Sequence, residues 1–210
     1  ANAQTGSLTW QVSTDGGATW SNSAILGAAG SVQVRGVFAW SGIANAVGYG
    51  GSQFDGIVSN TAAGDSVTGM NRPNPFNFAA QTLAATAFAG GIKIDQDNDV
   101  SAPGAGTGWI NPGQGTVDGI GTNFSTANPA AVFTYTLNVS AIEGTRTISN
   151  IFNQTAGRAL SIYTSNSGAQ TRLSASAVAI NTASVTVLIP TPGTLALAGL
   201  GGLAAARRRR

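Results

Sequence analysis

Hydrophobic and polar residues alternate with a period of two along much of the chain. In 132–139, VFTYTLNV, Phe133, Tyr135, Leu137 and Val139 share one face, and Thr134, Thr136 and Asn138 share the other. In 32–40, VQVRGVFAW, a single face collects Val32, Val34, Phe38 and Trp40, and LTWQV sets Leu8, Trp10 and Val12 together. Side chains of a strand point alternately to its two faces, so this pattern marks strands with one side buried. It predicts further strands near 52–58, 81–88, 90–95, 145–151, 159–164, 170–176 and 184–189. Turn-rich stretches separate them, among them GDSVTGMNRPNP, SAPGAGTG and NPGQG. No segment before residue 190 carries a helical period.

About ten short strands with Gly, Pro and Asn turns predict an all-β fold, an antiparallel β-sandwich of jelly-roll or Greek-key type. The longest irregular region, from Val100 to Pro129 with Pro103 and Pro112 inside it, reads as a long surface loop. Residues 1–188 form the sandwich domain of this reading. Residues 189–210 form a separate tail, with a short apolar C-terminal helix. No repeat recurs at a period of 20 to 50 residues.

Composition narrows the chemistry. Charged residues are 9% of the chain and glycines number 29, which suits an all-β extracellular protein. The net charge of +2 divides unevenly. Arg207, Arg208, Arg209 and Arg210 close the chain, while the body sets Arg35, Arg72, Lys93, Arg146, Arg158 and Arg172 against seven Asp and one Glu. The body is therefore acidic and the tail basic. No basic patch interleaved with aromatics points to nucleic acid. Cys and His are absent, which excludes disulfides, Cys-rich zinc sites, thiol nucleophiles and imidazole bases. The sequence opens on Ala1, which reads as a fragment or as the product of a removed signal peptide, and ANA resembles the small-residue end of a cleavage site.

STDGGATW, Ser13 to Trp20, fits S-x-D-x-G-x-x-W and resembles the Asp-box of sialidases and related propeller proteins. Physically, Asp-Gly-Gly supplies positive φ and a carboxylate that can bond back to nearby amides. That describes a hairpin with Trp20 packed back under it. A sialidase propeller carries the box once per blade, whereas here it occurs once. The sialidase resemblance would also imply an arginine cluster and a tyrosine nucleophile. Tyr49, Tyr135 and Tyr163 and the scattered arginines carry no such pattern. The box thus speaks for β structure rather than glycosidase chemistry. VQVRGVFAW followed by GGSQFDGIVS is loosely similar to cohesin-like modules, and no binding function is carried over from that similarity.

The tail reads IPTPGTLALAGLGGLAAARRRR. Gly193 to Ala206 is fourteen residues without a charge. As a helix they span about 21 Å, short of the roughly 30 Å of a bilayer core, so a marginal span needs the arginines to snorkel. The arginine block belongs on the cytoplasmic side, which leaves the body facing outward. Pro motif, apolar run and basic end, in that order, resemble the PEP-CTERM sorting signal of exported proteins. Pro190, Thr191 and Pro192 stand where the family commonly has Pro-Glu-Pro. Thr191 in place of Glu matches a planctomycete-like variant. The resemblance implies recognition by an exosortase of the inner membrane, processing near the Pro motif, and release to the cell surface or the exopolysaccharide matrix.

Other candidates are few. KIDQDNDV places Asp95, Asp97 and Asp99 at alternate positions, as calcium loops begin, because a hard cation wants several oxygens from a short turn. Val100 and Gly106 stand where an EF-hand needs Gly and Glu. A solvated loop and a different Ca²⁺ site remain as readings. Paired carboxylates for glycoside hydrolysis could only come from Asp95 with Asp55, Asp65 or Asp118, and the sole glutamate, Glu143, lies beside a turn. Trp10 and Trp40 fall on apolar strand faces, and Trp109 in the Gly/Pro loop is the candidate platform for stacking on a sugar. Asn123, Asn138 and Asn153 head N-x-S/T sequons. The reading as a whole is an exported, non-enzymatic sandwich without a cofactor, structural or adhesive in role. Its partners would be an exosortase, the inner membrane and extracellular polysaccharide. A carbohydrate-binding module is the alternative, followed by a glycoside hydrolase.

Overall fold

The computed structural model describes residues 3–76, 83–95, 103, 125–152, 159–165 and 168–189. The predicted tail helix, Asp97, Asp99, Trp109, Asp118 and the sorting residues 190–192 and 207–210 lie outside them. The described chain is all β. Its strands are β1 Thr5–Ser13, β2 Ser23–Leu26, β3 Gly30–Ser41, β4 Gly48–Gly51, β5 Phe54–Ser59, β6 Ser66–Asn71, β7 Ala84–Phe88, β8 Gly91–Asp95, β9 Ala130–Val139, β10 Gly144–Phe152, β11 Leu160–Tyr163, β12 Gln170–Leu173, β13 Val178–Asn181 and β14 Ala183–Val187.

Two large sheets form the sandwich. One is ordered β13-β1-β3-β9-β6 and the other β2-β14-β10-β5-β8-β7, while β12-β11-β4 make a smaller third sheet. From β1 to β3, from β5 to β6 and from β8 to β10 the chain crosses between the large sheets, as a jelly-roll path requires. Pairing is antiparallel except at two edges, where β1 runs parallel to β13 and β2 parallel to β14. The first two strands are therefore flanked by the last two.

The alternation read in β1, β3 and β9 is the pattern of burial observed. Leu8, Trp10, Val12, Val32, Val34, Phe38, Phe133, Tyr135, Leu137 and Val139 all lie in the core, joined from the opposite sheet by Phe54, Val58, Ile94, Ile148, Val185 and Val187. Trp10 spans the sandwich. Its ring packs edge-on to Phe54 and Tyr135, with centroids 6.1 Å away in each case. Its indole N–H donates to Asn150 Oδ1 at 3.1 Å, which satisfies the one polar atom that burial would otherwise orphan. Gly36 faces Trp10 across the β1–β3 ladder, and a Cβ there would sit 3.3 Å from the indole. The glycine thus makes room for the ring. Trp40 is only half-buried and packs against the rim of this core.

Four strands depart from the sequence expectation. β6 runs through SVTGMN, inside a stretch read as turns, and β2, β4 and β13 are four-residue strands that the alternation did not mark.

Candidate functional site

The Ser13–Trp20 segment closes a loop over the outer face of the five-stranded sheet. Val12 and Ser21 exchange backbone hydrogen bonds at 2.7 and 3.0 Å, pinning its ends. Ser13 Oγ donates to Asp15 Oδ1 at 2.7 Å and accepts from the Gly17 amide at 2.8 Å. The Thr19 amide donates to Asp15 Oδ1 at 3.0 Å, and the Thr19 hydroxyl donates to Oδ2. Gly16 and Gly17 sit at φ +73° and +91°, the left-handed region that side chains avoid. The Ser13 hydroxyl, then the Thr19 hydroxyl and amide, hold the Asp15 carboxyl well below the ordinary carboxylate range. Both carboxylate oxygens of Asp15 thus accept hydrogen bonds from within the turn. It is a structural carboxylate, not a catalytic one.

The loop delivers Trp20. The Arg35 guanidinium lies over the indole, 4.3 Å from the ring centroid, and Arg35 Nε donates to Gln11 Oε1 at 2.8 Å. Below the ring, the sheet presents rows of polar, mostly uncharged side chains. Register aligns Ser13, Gln33, Thr136 and Thr68 in one row, and Gln11, Arg35 and Thr134 in the next. At the far side β6 breaks step with β9 between Thr68 and Asn71, with Gly69 at φ +60°. The sheet edge steps away there and leaves a cleft of about 160 Å³, lined by Trp20, Gln33, Gly69, Thr134 and Thr136. No carboxylate lines it.

The charged candidates lie elsewhere and are engaged. Asp65 accepts from Arg146 Nε at 2.8 Å and Nη2 at 3.2 Å, from the Ser140 amide at 2.8 Å and from the Ala62 amide at 2.7 Å. Burial pushes its carboxyl up, but the Arg146 guanidinium, followed by the Ser140 and Ala62 amides, outweighs that and brings it down to about 2. The remaining Arg146 nitrogen donates to the carbonyls of Ile142 and Gly144. Asp95 is buried and takes the Lys93 ammonium at 2.8 Å. Asp97 and Asp99, the other two carboxylates of the calcium reading, lie outside the described residues, among which no group of three or more metal-ligating side chains is gathered. Asp55 is buried too. Glu143 lies in the loop before β10 and accepts from the Ile189 amide at 3.0 Å.

The tyrosines are core residues. Tyr49 and Tyr135 are fully shielded, and burial pushes both phenols far above their usual range, so neither is poised as a nucleophile. Asn138, the one described sequon asparagine, is tied by its side chain to Ser31, Ser66 and Thr68.

No family model matches the chain, and no curated protein is similar to it. The solved structures to which the chain is similar include cohesin modules. The cohesin CaCohA2 from Clostridium acetobutylicum is 10% identical with a TM-score of 0.43, over 87% of this chain and 92% of that one. The non-cellulosomal cohesin from Archaeoglobus fulgidus is 11% identical with a TM-score of 0.41, over 88% and 91%. The cohesin module of a Clostridium perfringens family 33 glycoside hydrolase is 8% identical with a TM-score of 0.40, over 90% and 100%. At such identities and scores these proteins carry no function across.

Proposed function

We propose that this protein is an exported, non-enzymatic β-sandwich, held at a membrane by residues 189–210 and then displayed at the cell surface or in the extracellular matrix, in a structural or adhesive role. The supporting observation is the way the last strand leaves the body. β14 lies between β2 and β10, where Leu26, Val187 and Gly144 form one row across the sheet. Beyond that row, the Leu188 amide donates to the Leu26 carbonyl at 2.9 Å, and Ile189 is held by Glu143. The chain is thus fixed up to Ile189, and Gly193, where the apolar part of the tail begins, is only four residues further on. Four residues reach at most about 14 Å. If the stretch enters a bilayer, this end of the sandwich stands at or just above the headgroups.

The same end carries the apolar surface such a position favours. Ile25, Ile142 and Leu188 are 70%, 47% and 53% exposed, and all lie within two residues of the Leu26–Val187–Gly144 row. Elsewhere the body is chemically quiet, with no His or Cys and with Asp15, Asp65 and Asp95 each held by hydrogen bonds or an ion pair. Among the described residues no helix is long and apolar enough to cross a membrane.

The test is fractionation of cells that express the chain with and without Arg207 to Arg210, together with intact-mass measurement of the native protein. Membrane retention of the deletion variant lost or reduced, and native material shortened near Pro190–Pro192, support sorting through this segment. Unchanged distribution and an uncut C-terminus in both forms refute it.

A further inference from the structure

We propose that the cleft under Trp20 is a binding subsite for a neutral polysaccharide, with one sugar ring stacked on the indole. The proposal is independent of the tail, because it concerns the opposite sheet and holds whether or not the chain is membrane-sorted.

Four observations carry it. The first is the state of the ring. Trp20 is half-buried, braced on one face by Arg35, with its edge against Gly17, where a Cβ would lie 3.4 Å from the ring. The loop behind it is cross-linked through Ser13, Asp15 and Thr19. A flat apolar surface that is already immobile loses little entropy when a ligand covers it. A ring wanted only for the core would not need a dedicated loop to hold it above the outer face of a sheet.

The second is the lining. Gln33, Thr134 and Thr136 present an amide and two hydroxyls, groups that both donate and accept. A ligand bearing many hydroxyls matches such a wall, since each of its groups can also do both. The third is charge. The cleft has no carboxylate, and the nearby Arg35 is engaged by the indole and by Gln11. A cationic ligand would find no anion there, and the guanidinium beside the cleft already spends one face on the indole and its Nε on Gln11. The fourth is size. A volume of about 160 Å³ in this open cleft is enough to seat one six-membered sugar ring. Gly69, at φ +60° beside the register break, leaves its part of the lining without a side chain.

The occupant is thus a neutral glycan chain of which one residue seats in the cleft. The platform of this proposal is Trp20 on the face of the sheet, a site separate from Trp109, which lies outside the described residues.

Affinity electrophoresis of the full chain through gels containing a neutral glucan, mannan, galactan or xylan tests it, with alginate and dextran sulfate as anionic controls. The expected result is retardation by at least one neutral polymer and by neither anionic one. Trp20→Ala should weaken that binding by about tenfold or more, equivalent to about 1.4 kcal/mol. The paired variant Thr134→Val, Thr136→Val guards against a mere folding defect, since valine keeps the strand-favouring branch and removes only the hydroxyls. With an unchanged thermal midpoint it should lose binding by a similar factor. Absence of binding to every neutral polymer overturns the proposal. So does full binding in both variants, or a loss confined to Trp109→Ala.

Discussion

The two large sheets treat their outer faces in opposite ways. On the five-stranded sheet the outward side chains of β3 and β9, among them Gln33, Arg35, Thr134 and Thr136, stay partly open to solvent, and Arg35 is the only charge among them. On the six-stranded sheet β5 and β8 are buried along both faces. Phe54, Gly56 and Val58 look into the sandwich, while Asp55, Ile57, Lys93 and Asp95, on the other side, are buried as well. Among the described residues, the six-stranded sheet thus buries Asp55, Lys93 and Asp95 where water is excluded, whereas the open face of β3 and β9 carries mostly uncharged polar groups. Buried ions depend on their partners. An uncharged polar face does not, and is free to exchange water for another hydroxyl-bearing surface.

That contrast can be broken most severely at Lys93. Lys93→Ala leaves Asp95 buried without the ammonium 2.8 Å away and should cost about 3–5 kcal/mol, read from chemical denaturation. A loss below about 1 kcal/mol would mean that the closed face does not rely on the pair. Acid gives a milder version of the same test at Asp65. Its carboxyl is lowered from 3.8 to about 2 by folding, so its contribution is complete above about pH 4 and disappears as the pH falls through about 2. Denaturation midpoints should fall across that window in the native chain, and less steeply in Asp65→Asn. Tyr135→Phe probes the interior between the faces. Among the described residues the buried Tyr135 hydroxyl has no hydrogen-bond partner, so its removal should raise stability by about 1 kcal/mol while keeping the packing on Trp10. Thr136→Val on the open face should move the thermal midpoint least, by the equivalent of less than about 0.5 kcal/mol.

Much of this architecture was legible as alternation. β1, β3, β9 and β10 each bury every second side chain, and the expected strands there match those observed to within a few residues. β4 was not legible because GYGG is buried on both faces and has almost no side chains to alternate. β6 hides among residues that favour turns and is held mainly by its pairing with β9. β2 and β13 are too short to show a period, and each lies parallel to a strand far away in sequence. The same separation concealed the Asp65–Arg146 pair, whose members are 81 residues apart.

The site divides along similar lines. Ser13, Asp15, Gly16 and Gly17 announce a self-bonded turn, and the turn is built as their chemistry demands. What Trp20 faces could not be read locally, because Arg35, Thr134 and Gly69 reach it from three different strands. The one available signal was parity. Thr134 and Thr136 alternate with core residues on β9, and Gln33 and Arg35 do so on β3, which already assigns all four to the outer face.

The parallel pairing of β14 with β2 has a mechanical consequence. A pull delivered through Ile189 along the strand meets two ladders at once, four register pairs to β2 and five to β10. Their hydrogen bonds lie across the line of force, so they must yield together in shear instead of unzipping one by one. If residues 189–210 tether the body as proposed, tension on the tail would enter the sheet through β14 and be carried by both neighbouring strands at once.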